Sequence, residues 1–348
     1  MQELNMVVVG PGLIGKQHIR LIGENKNCRL VAIVAPDHVP NHAIAQANQV
    51  PLFHDLYTCL ASCKVDGVVI SSPNRFHAEQ ATICIKEGVP VLVEKPITAT
   101  VEEGEALVRL AEEYDAKIVV GHHRAHSPLL AKAREIIRDG RLGRLVSVTG
   151  SAQFFKPDIY FQAGPWRTQP GGGPILINLI HEVGNLRTLC GEVCAVHAFS
   201  SSNIRRYPVE DTVAINLMFK NGVLGNFMLS DTAACAKSWE QTSRENPAYP
   251  TYQDEDCYVI SGTVGSLSIP TFRFKYYPDE MLASWWEPFT EEVLDVERKE
   301  PLSCQLAHFI EVVRGNVPPL VTAADGLRNL KITDAIARSA REGRVVHV

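Results

Sequence analysis

Short β-branched apolar runs alternate with helical patterns over about the first 120 residues, as expected of a parallel sheet covered on both faces. The runs at 5–9, 30–35, 67–70, 90–93 and 117–120 predict strands. The clearest helix between them covers 101–114, where Leu107, Leu110, Ala111 and Tyr114 recur at i, i+3, i+4 and i+7. Thr100 and Glu103 are spaced as a capping box at its start. After Gly121 the period changes: one helix over 129–139 precedes longer runs of antiparallel character. Two of these, 212–219 and 223–230, flank Asn221-Gly222, a two-residue hairpin signal. A second hairpin joins 257–261 to 266–270, so the stretch from about 145 to 290 reads as an antiparallel-sheet domain. Residues 302–314 and 323–338 return to helix. The fold class is α/β, with domains over 1–122 and 123–348 and C-terminal helices able to pack back on the first domain.

Length supports this division, since 348 residues exceed one ordinary domain. With 45% hydrophobic and 21% charged residues the chain is globular rather than disordered. Its net charge of −5 offers no basic field, which excludes nucleic acid as the expected partner. No apolar run nears the roughly 18 residues of a membrane span, and Met1-Gln2-Glu3-Leu4-Asn5 has no charged leader region, so a cytoplasmic protein without membrane partners is expected. The nine cysteines include no C-x-x-C pair. Cys59/Cys63 and Cys190/Cys194 are spaced to share a helix face, yet nothing completes a metal site, and reduced packing thiols are expected.

The first apolar run enters Gly10-Pro11-Gly12-Leu13-Ile14-Gly15, a G-x-G-x-x-G that opens an amphipathic helix. Glycines at these places allow a tight turn and the approach of a pyrophosphate to exposed helix amides, so Gly10, Gly12, Leu13, Ile14 and Gly15 are candidate dinucleotide contacts. The acid that accepts the adenosine ribose belongs about 20 residues on. Ala35 stands there, and Asp37 follows after Pro36. Asp37 favours NAD over NADP because its carboxylate repels a 2′-phosphate. No Arg stands nearby to hold that phosphate; His38 is the one group that could assist.

Three further segments carry a resemblance. Ser71-Ser72-Pro73-Asn74-Arg75-Phe76-His77 follows the fourth strand, Glu94-Lys95-Pro96 the fifth, and Gly171-Gly172-Gly173 leads to His181. With the glycine loop, these resemble the Gfo/Idh/MocA oxidoreductases over nearly the whole chain. The resemblance implies an N-terminal Rossmann domain, a C-terminal α+β domain with a large open antiparallel sheet, and a secondary alcohol of a sugar, cyclitol or polyol as substrate. It implies catalytic roles for Lys95 and His181, with Lys95 also touching cofactor and substrate. Ser72, Pro73, Asn74, His77, Glu94, His123, Trp166 and Arg167 are then expected near the cofactor, and Arg124, Asn178 and His181 near the substrate. A hydride leaves a carbinol carbon only as its hydroxyl proton departs, which requires a base and a cation beside the developing carbonyl. His181 suits the first task and Lys95 the second.

One position departs from the family pattern. An Asp is expected four residues before the histidine, where Ile177 stands; Asn178 is polar but displaced by about 100° on an α-helix. That departure keeps a second class open, a dinucleotide-binding sensor or regulatory protein without turnover. Within enzymes, a dihydrodiol or hemiacetal dehydrogenase is the alternative. His122 and His126 read as packing or surface residues. The resemblance further implies a homodimer or homotetramer.

Overall fold

Runs of Val, Ile and Leu that are apolar at every position become strands with no exposed face. In the computed structural model, which describes residues 2–348, β1 (Leu4–Val9), β2 (Cys28–Val34), β3 (Leu52–Phe53), β4 (Gly67–Ile70), β5 (Val91–Glu94) and β6 (Ile118–Gly121) form one sheet. Its order is β3-β2-β1-β4-β5-β6, with every pair parallel. The two-residue β3 is too short to show a period, which is why the sequence pattern omits it. The connecting helices are α1 (Leu13–Glu24), α2 (Val39–Ala47), α3 (Leu56–Ser62), α4 (His77–Lys86) and α5 (Val101–Glu113). The Thr100/Glu103 capping box forms with both reciprocal bonds at 3.2 Å, a cap generally worth about 1 kcal/mol.

The chain divides into two compact units. The first takes the chain up to His126 together with Pro301–Leu330, and the second takes Ser127–Glu300 with Lys331–Val348. The later segment brings α10 (Pro301–Val313) into the first unit, where Leu306, Phe309 and Ile310 join Met6, Val8, Ile33, Val69 and Leu92 in one core.

In the second unit α6 (Pro128–Arg138), β7 (Leu145–Gln153), α7 (Asp158–Gln162) and α8 (Ile180–Cys190) precede β8 (Val193–Ser201), β9 (Thr212–Phe219) and β10 (Leu224–Ser230). Then come α9 (Trp239–Thr242), β11 (Tyr258–Gly262), β12 (Gly265–Ile269), β13 (Arg273–Tyr276), β14 (Thr290–Val293), α11 (Ala323–Glu342), which begins in the first unit, and β15 (Val346–His347). The strands make a nine-stranded sheet in the order β14-β13-β12-β11-β7-β10-β9-β8-β15. Both expected hairpins form, β9 with β10 and β11 with β12. Gly222 takes φ +87° in the first turn, where Phe219 N donates to Val223 O at 3.0 Å. The large antiparallel sheet is present as expected, with one parallel pair within it: β7 and β10 run parallel, because β10 returns beside β7 after the β8–β9 excursion.

Alternation leaves this sheet with one buried face. Val213, Ile215, Leu217, Phe227 and Leu229 turn into the core, while Phe199, Met218, Leu224, Met228 and Val259 face outward and exposed. All nine cysteines are free thiols. The Cys190/Cys194 pairing on one helix face is overturned, since Cys190 ends α8 and Cys194 lies on β8. Among the described residues no helix is long and apolar enough to cross a membrane. Phe309 is wholly buried in the first unit's core, so Phe309→Ala is expected to cost about 3–5 kcal/mol. Urea unfolding measures it, and a loss below 1 kcal/mol would mean that α10 is peripheral to that core.

Candidate functional site

The glycine loop forms because three glycines meet three different constraints. Gly10 has φ +82°, and a Cβ there would lie 2.6 Å from the Ser72 backbone. A Cβ on Gly15 would collide with the Gly10 carbonyl. Gly12 faces open space, with nothing within 4 Å of the Cβ position. The first and third glycines therefore serve packing, while the second leaves a gap over the start of α1. That helix start has neither a side-chain cap nor an acidic residue in its first turn, so its amides are available to an anion. These features fit a dinucleotide pyrophosphate. Leu13 is 76% exposed and Ile14 partly so at this edge.

Ser71 holds the loop from β4: its hydroxyl faces both Val9 O at 3.0 Å and Gly10 O at 2.8 Å. Ser72 Oγ donates to Gln80 Oε1 at 2.6 Å, with Pro73 exposed and Asn74 partly so in the turn that follows. His77 is buried, and its two ring nitrogens face Pro96 O and Ser72 O, each at 2.8 Å. Burial pushes the His77 pKa down against the pull of these carbonyls. His77 thus spans the loops that follow β4 and β5, and acts as a positioning residue.

At the end of β5, Glu94 is buried and its Oε1 lies 2.9 Å from His18 Nε2 on α1. Its other oxygen accepts from the Lys95 amide at 3.2 Å. Gly121 leaves room for it, since a Cβ there would come within 2.9 Å of Glu94. Sequence reading missed His18; the signal was a histidine on the buried stripe of α1, which must find a polar partner. Past β6, a short turn over His123–His126 carries His123 and a buried Arg124. His123 is held well below the usual imidazole range, first by the protein packed around it and then by the Arg124 and Lys95 charges. Lys95 and Arg124 therefore each lie close enough to His123 to act on it. His122 is buried against Asn329 at 3.2 Å, and the His126 ring lies 5.1 Å from that of His308 at a tilt of 53°, its pKa pushed down to about 3 chiefly by burial. Asp37 lies exposed just beyond β2, with its Oδ1 2.6 Å from His42 Nε2.

The second unit carries the remaining candidates. Gly172 allows the chain to lie against the Trp166 carbonyl, and Gly173 against the Glu210 carboxylate. Glu210 Oε1 accepts from Ile175 N at 2.9 Å, and burial raises its pKa. Residues Ile175–Leu179 form a π turn before α8, which corrects the expected α-helical angle between Ile177 and Asn178. Asn178 Oδ1 accepts from Lys156 Nζ at 2.7 Å, and Lys156 lies 3.6 Å from Asp231 and 4.8 Å from the Tyr160 ring centroid. His181 is buried in the first turn of α8. Lys156 and Glu210 were not found from sequence, because they sit 22 and 35 residues from their partners in the turn. Arg167 lies over the Tyr160 ring at 3.9 Å and donates to the Tyr160 carbonyl, while Trp166 is 57% exposed.

Two family models match: an oxidoreductase family with an NAD-binding Rossmann fold over residues 4–122 and its C-terminal alpha/beta domain over 134–348. The rhizopine catabolism protein MocA of Rhizobium meliloti is 26% identical over 96% of this chain and 94% of its own length. The scyllo-inositol 2-dehydrogenase (NAD(+)) of Bacillus subtilis is 25% identical over 99% and 96%. A crystal structure of the WlbA dehydrogenase from Bordetella pertussis with NADH and UDP-GlcNAcA shares the fold at TM-score 0.79, with 24% identity over 100% of this chain and 99% of that one.

The loop geometry separates two substitutions. Gly12→Ala is expected to keep the thermal midpoint and weaken NAD binding at least about tenfold, whereas Gly15→Ala lowers the midpoint. Calorimetric titration with NAD and a thermal melt check both, and unchanged NAD affinity in Gly12→Ala would refute the assignment of the gap. Matched by the two domain models over residues 4–122 and 134–348, the chain belongs to the Gfo/Idh/MocA oxidoreductase family and is an NAD-binding oxidoreductase.

Proposed function

We propose that the protein transfers hydride between a secondary alcohol of a sugar, cyclitol or related polyol and NAD. The observation that carries this reading is the grouping at the carboxyl ends of the parallel strands: an uncapped α1 start over Gly12, Glu94 pinned by His18, and His123 within reach of both Lys95 and Arg124. Ligands of such sheets collect at that edge. Residues 1–122 bind the dinucleotide in this reading and residues 123–348 supply substrate contacts.

When bound, the nicotinamide supplies the hydride acceptor or donor. Glu94 holds the Lys95 backbone through its amide, which limits where the ammonium can swing. Lys95 polarises the alcohol oxygen and stabilises the charge that develops on it. His181 exchanges the hydroxyl proton, as an imidazole can near neutral pH. Asn178, held by Lys156, presents a polar group one residue from where the family has its Asp, and Arg124 contacts a further substrate hydroxyl or carboxylate. The outward apolar row Phe199, Met218, Leu224, Met228 and Val259 serves to pair two copies of the chain. Ile177 favours a second reading, in which the dinucleotide binds without turnover.

Lys95→Ala is expected to lower kcat about 10²-fold or more on any polyol that reduces NAD, with NAD affinity kept within a few-fold. A screen of inositols, aldoses and sugar acids, read by the absorbance of reduced nicotinamide, finds the substrate; full turnover in the variant would remove Lys95 from the mechanism. Met218→Glu combined with Met228→Glu is expected to shift the native mass to a single chain. Light scattering reads it, and an unchanged mass would refute pairing through this face.

A further inference from the structure

The segment between Arg29 and Lys64 contains no Lys or Arg. Its ionisable side chains, thiols and tyrosine aside, are Asp37, Asp55, His38, His42 and His54, and the fold gathers them beside the glycine loop. Gly10 N donates to Val34 O at 2.9 Å, tying the loop to the end of β2, and Asp37 lies three residues further on. His38 is the N-cap of α2, and His42 follows one turn later with its Nε2 2.6 Å from Asp37. The His42 and His54 rings meet edge to face at 6.3 Å, and His54 Nδ1 lies 3.4 Å from the Ala35 carbonyl. The Asp37 and His42 side chains are 73% and 56% exposed, so the cluster faces water and no core demands it. Asp55, beside His54, accepts from Thr58 N at 2.7 Å as the cap of α3. The His42 hydrogen bond, and after it the His54 charge, hold the Asp37 carboxyl below its usual range.

We infer that His38, His42 and His54 form a proton-gated subsite for the 2′-phosphate of NADP. The inference rests on the dinucleotide reading of the glycine loop. With neutral imidazoles the segment carries two negative charges, and Asp37 accepts the ribose hydroxyls of NAD while repelling a phosphate. Histidine is the side chain whose ordinary charge change falls between about pH 5 and 8. As pH falls, His42 neutralises Asp37 across their hydrogen bond, while His38 and His54 gain N–H donors and charge, and the segment becomes net positive. A phosphomonoester loses part of its second charge near pH 6, but it remains an anion, and up to three positive charges are gained around it. Preference therefore moves toward NADP in acid and toward NAD in base. Charges about 6 Å apart near a solvated surface each contribute roughly threefold, so a shift of tenfold or more is expected.

The test measures calorimetric affinities of the full chain for NAD and NADP at about pH 6 and about pH 8, at constant ionic strength. The ratio of NADP to NAD affinity should rise at least about tenfold on acidification, and should be flat with pH in the triple variant His38→Gln, His42→Gln, His54→Gln. Histidine C–H proton resonances of the wild-type chain give the reciprocal reading: saturating NADP should raise the titration midpoints of these rings, and saturating NAD should not. A wild-type ratio that is flat or moves the other way, a slope that survives the three substitutions, or midpoints indifferent to NADP would overturn the inference while NAD binding upholds the dinucleotide reading. Binding of neither nucleotide at either pH would overturn both.

Discussion

The approach of the β1 loop to the β4 loop is the constraint on which the rest of the parallel-sheet edge depends. The Gly10 Cα sits where a methyl group would lie 2.6 Å from the Ser72 backbone, so the two loops pack main chain against main chain. The Ser71 hydroxyl fills its hydrogen-bonding needs with the carbonyls of Val9 and Gly10. From there His77 joins the Ser72 carbonyl to that of Pro96, and Glu94 reaches back to His18 on the helix that the glycine loop begins. Ser71, His77, Glu94 and His18 are buried, and an unpaired polar atom in such a place generally costs about 1–3 kcal/mol. The Lys95 backbone is therefore placed by a closed set of contacts that starts from one missing side chain.

The second unit solves a similar problem with charge. Arg205 donates to Asp231 Oδ1 at 2.9 Å and to the Lys156 carbonyl at 2.7 Å, and Asp211 Oδ2 accepts the amides of Ile204 and Arg205. Lys156, which reaches Asn178, stands on this buried framework. Removing one member of such a pair strands the other in a poorly solvated place, which is why the network constrains geometry more than it adds stability. Glu210 does comparable work at the start of the π turn, where it takes the Ile175 amide.

Local signals were legible in the sequence wherever the physics is local. The capping box at Thr100, the Asn221-Gly222 turn and the glycine loop each depend on a few adjacent residues, and all three form as read. The strands of the first unit were legible because burial on both faces makes them continuously apolar. Long-range partners were not. No periodicity connects His18 to Glu94 across 76 residues, or Lys156 to Asn178 across 22. The parallel pairing of β7 with β10 is a matter of topology, and the π turn at Ile175–Leu179 carries the same apolar pattern as an α-helix. Cys194 misled because a spacing of four implies a shared face only while the helix continues, and α8 ends at Cys190.

The return of α10 to the first unit bears on how the protein emerges during synthesis. The six parallel strands are complete by Gly121, but Phe309 and its neighbours, which cover one side of them, come after the second unit's intervening stretch of about 170 residues. At ribosomal rates of about 5–20 residues per second, that stretch occupies on the order of ten to thirty seconds. Throughout that interval the nascent sheet waits with part of its apolar surface uncovered, a natural point of engagement for a chaperone.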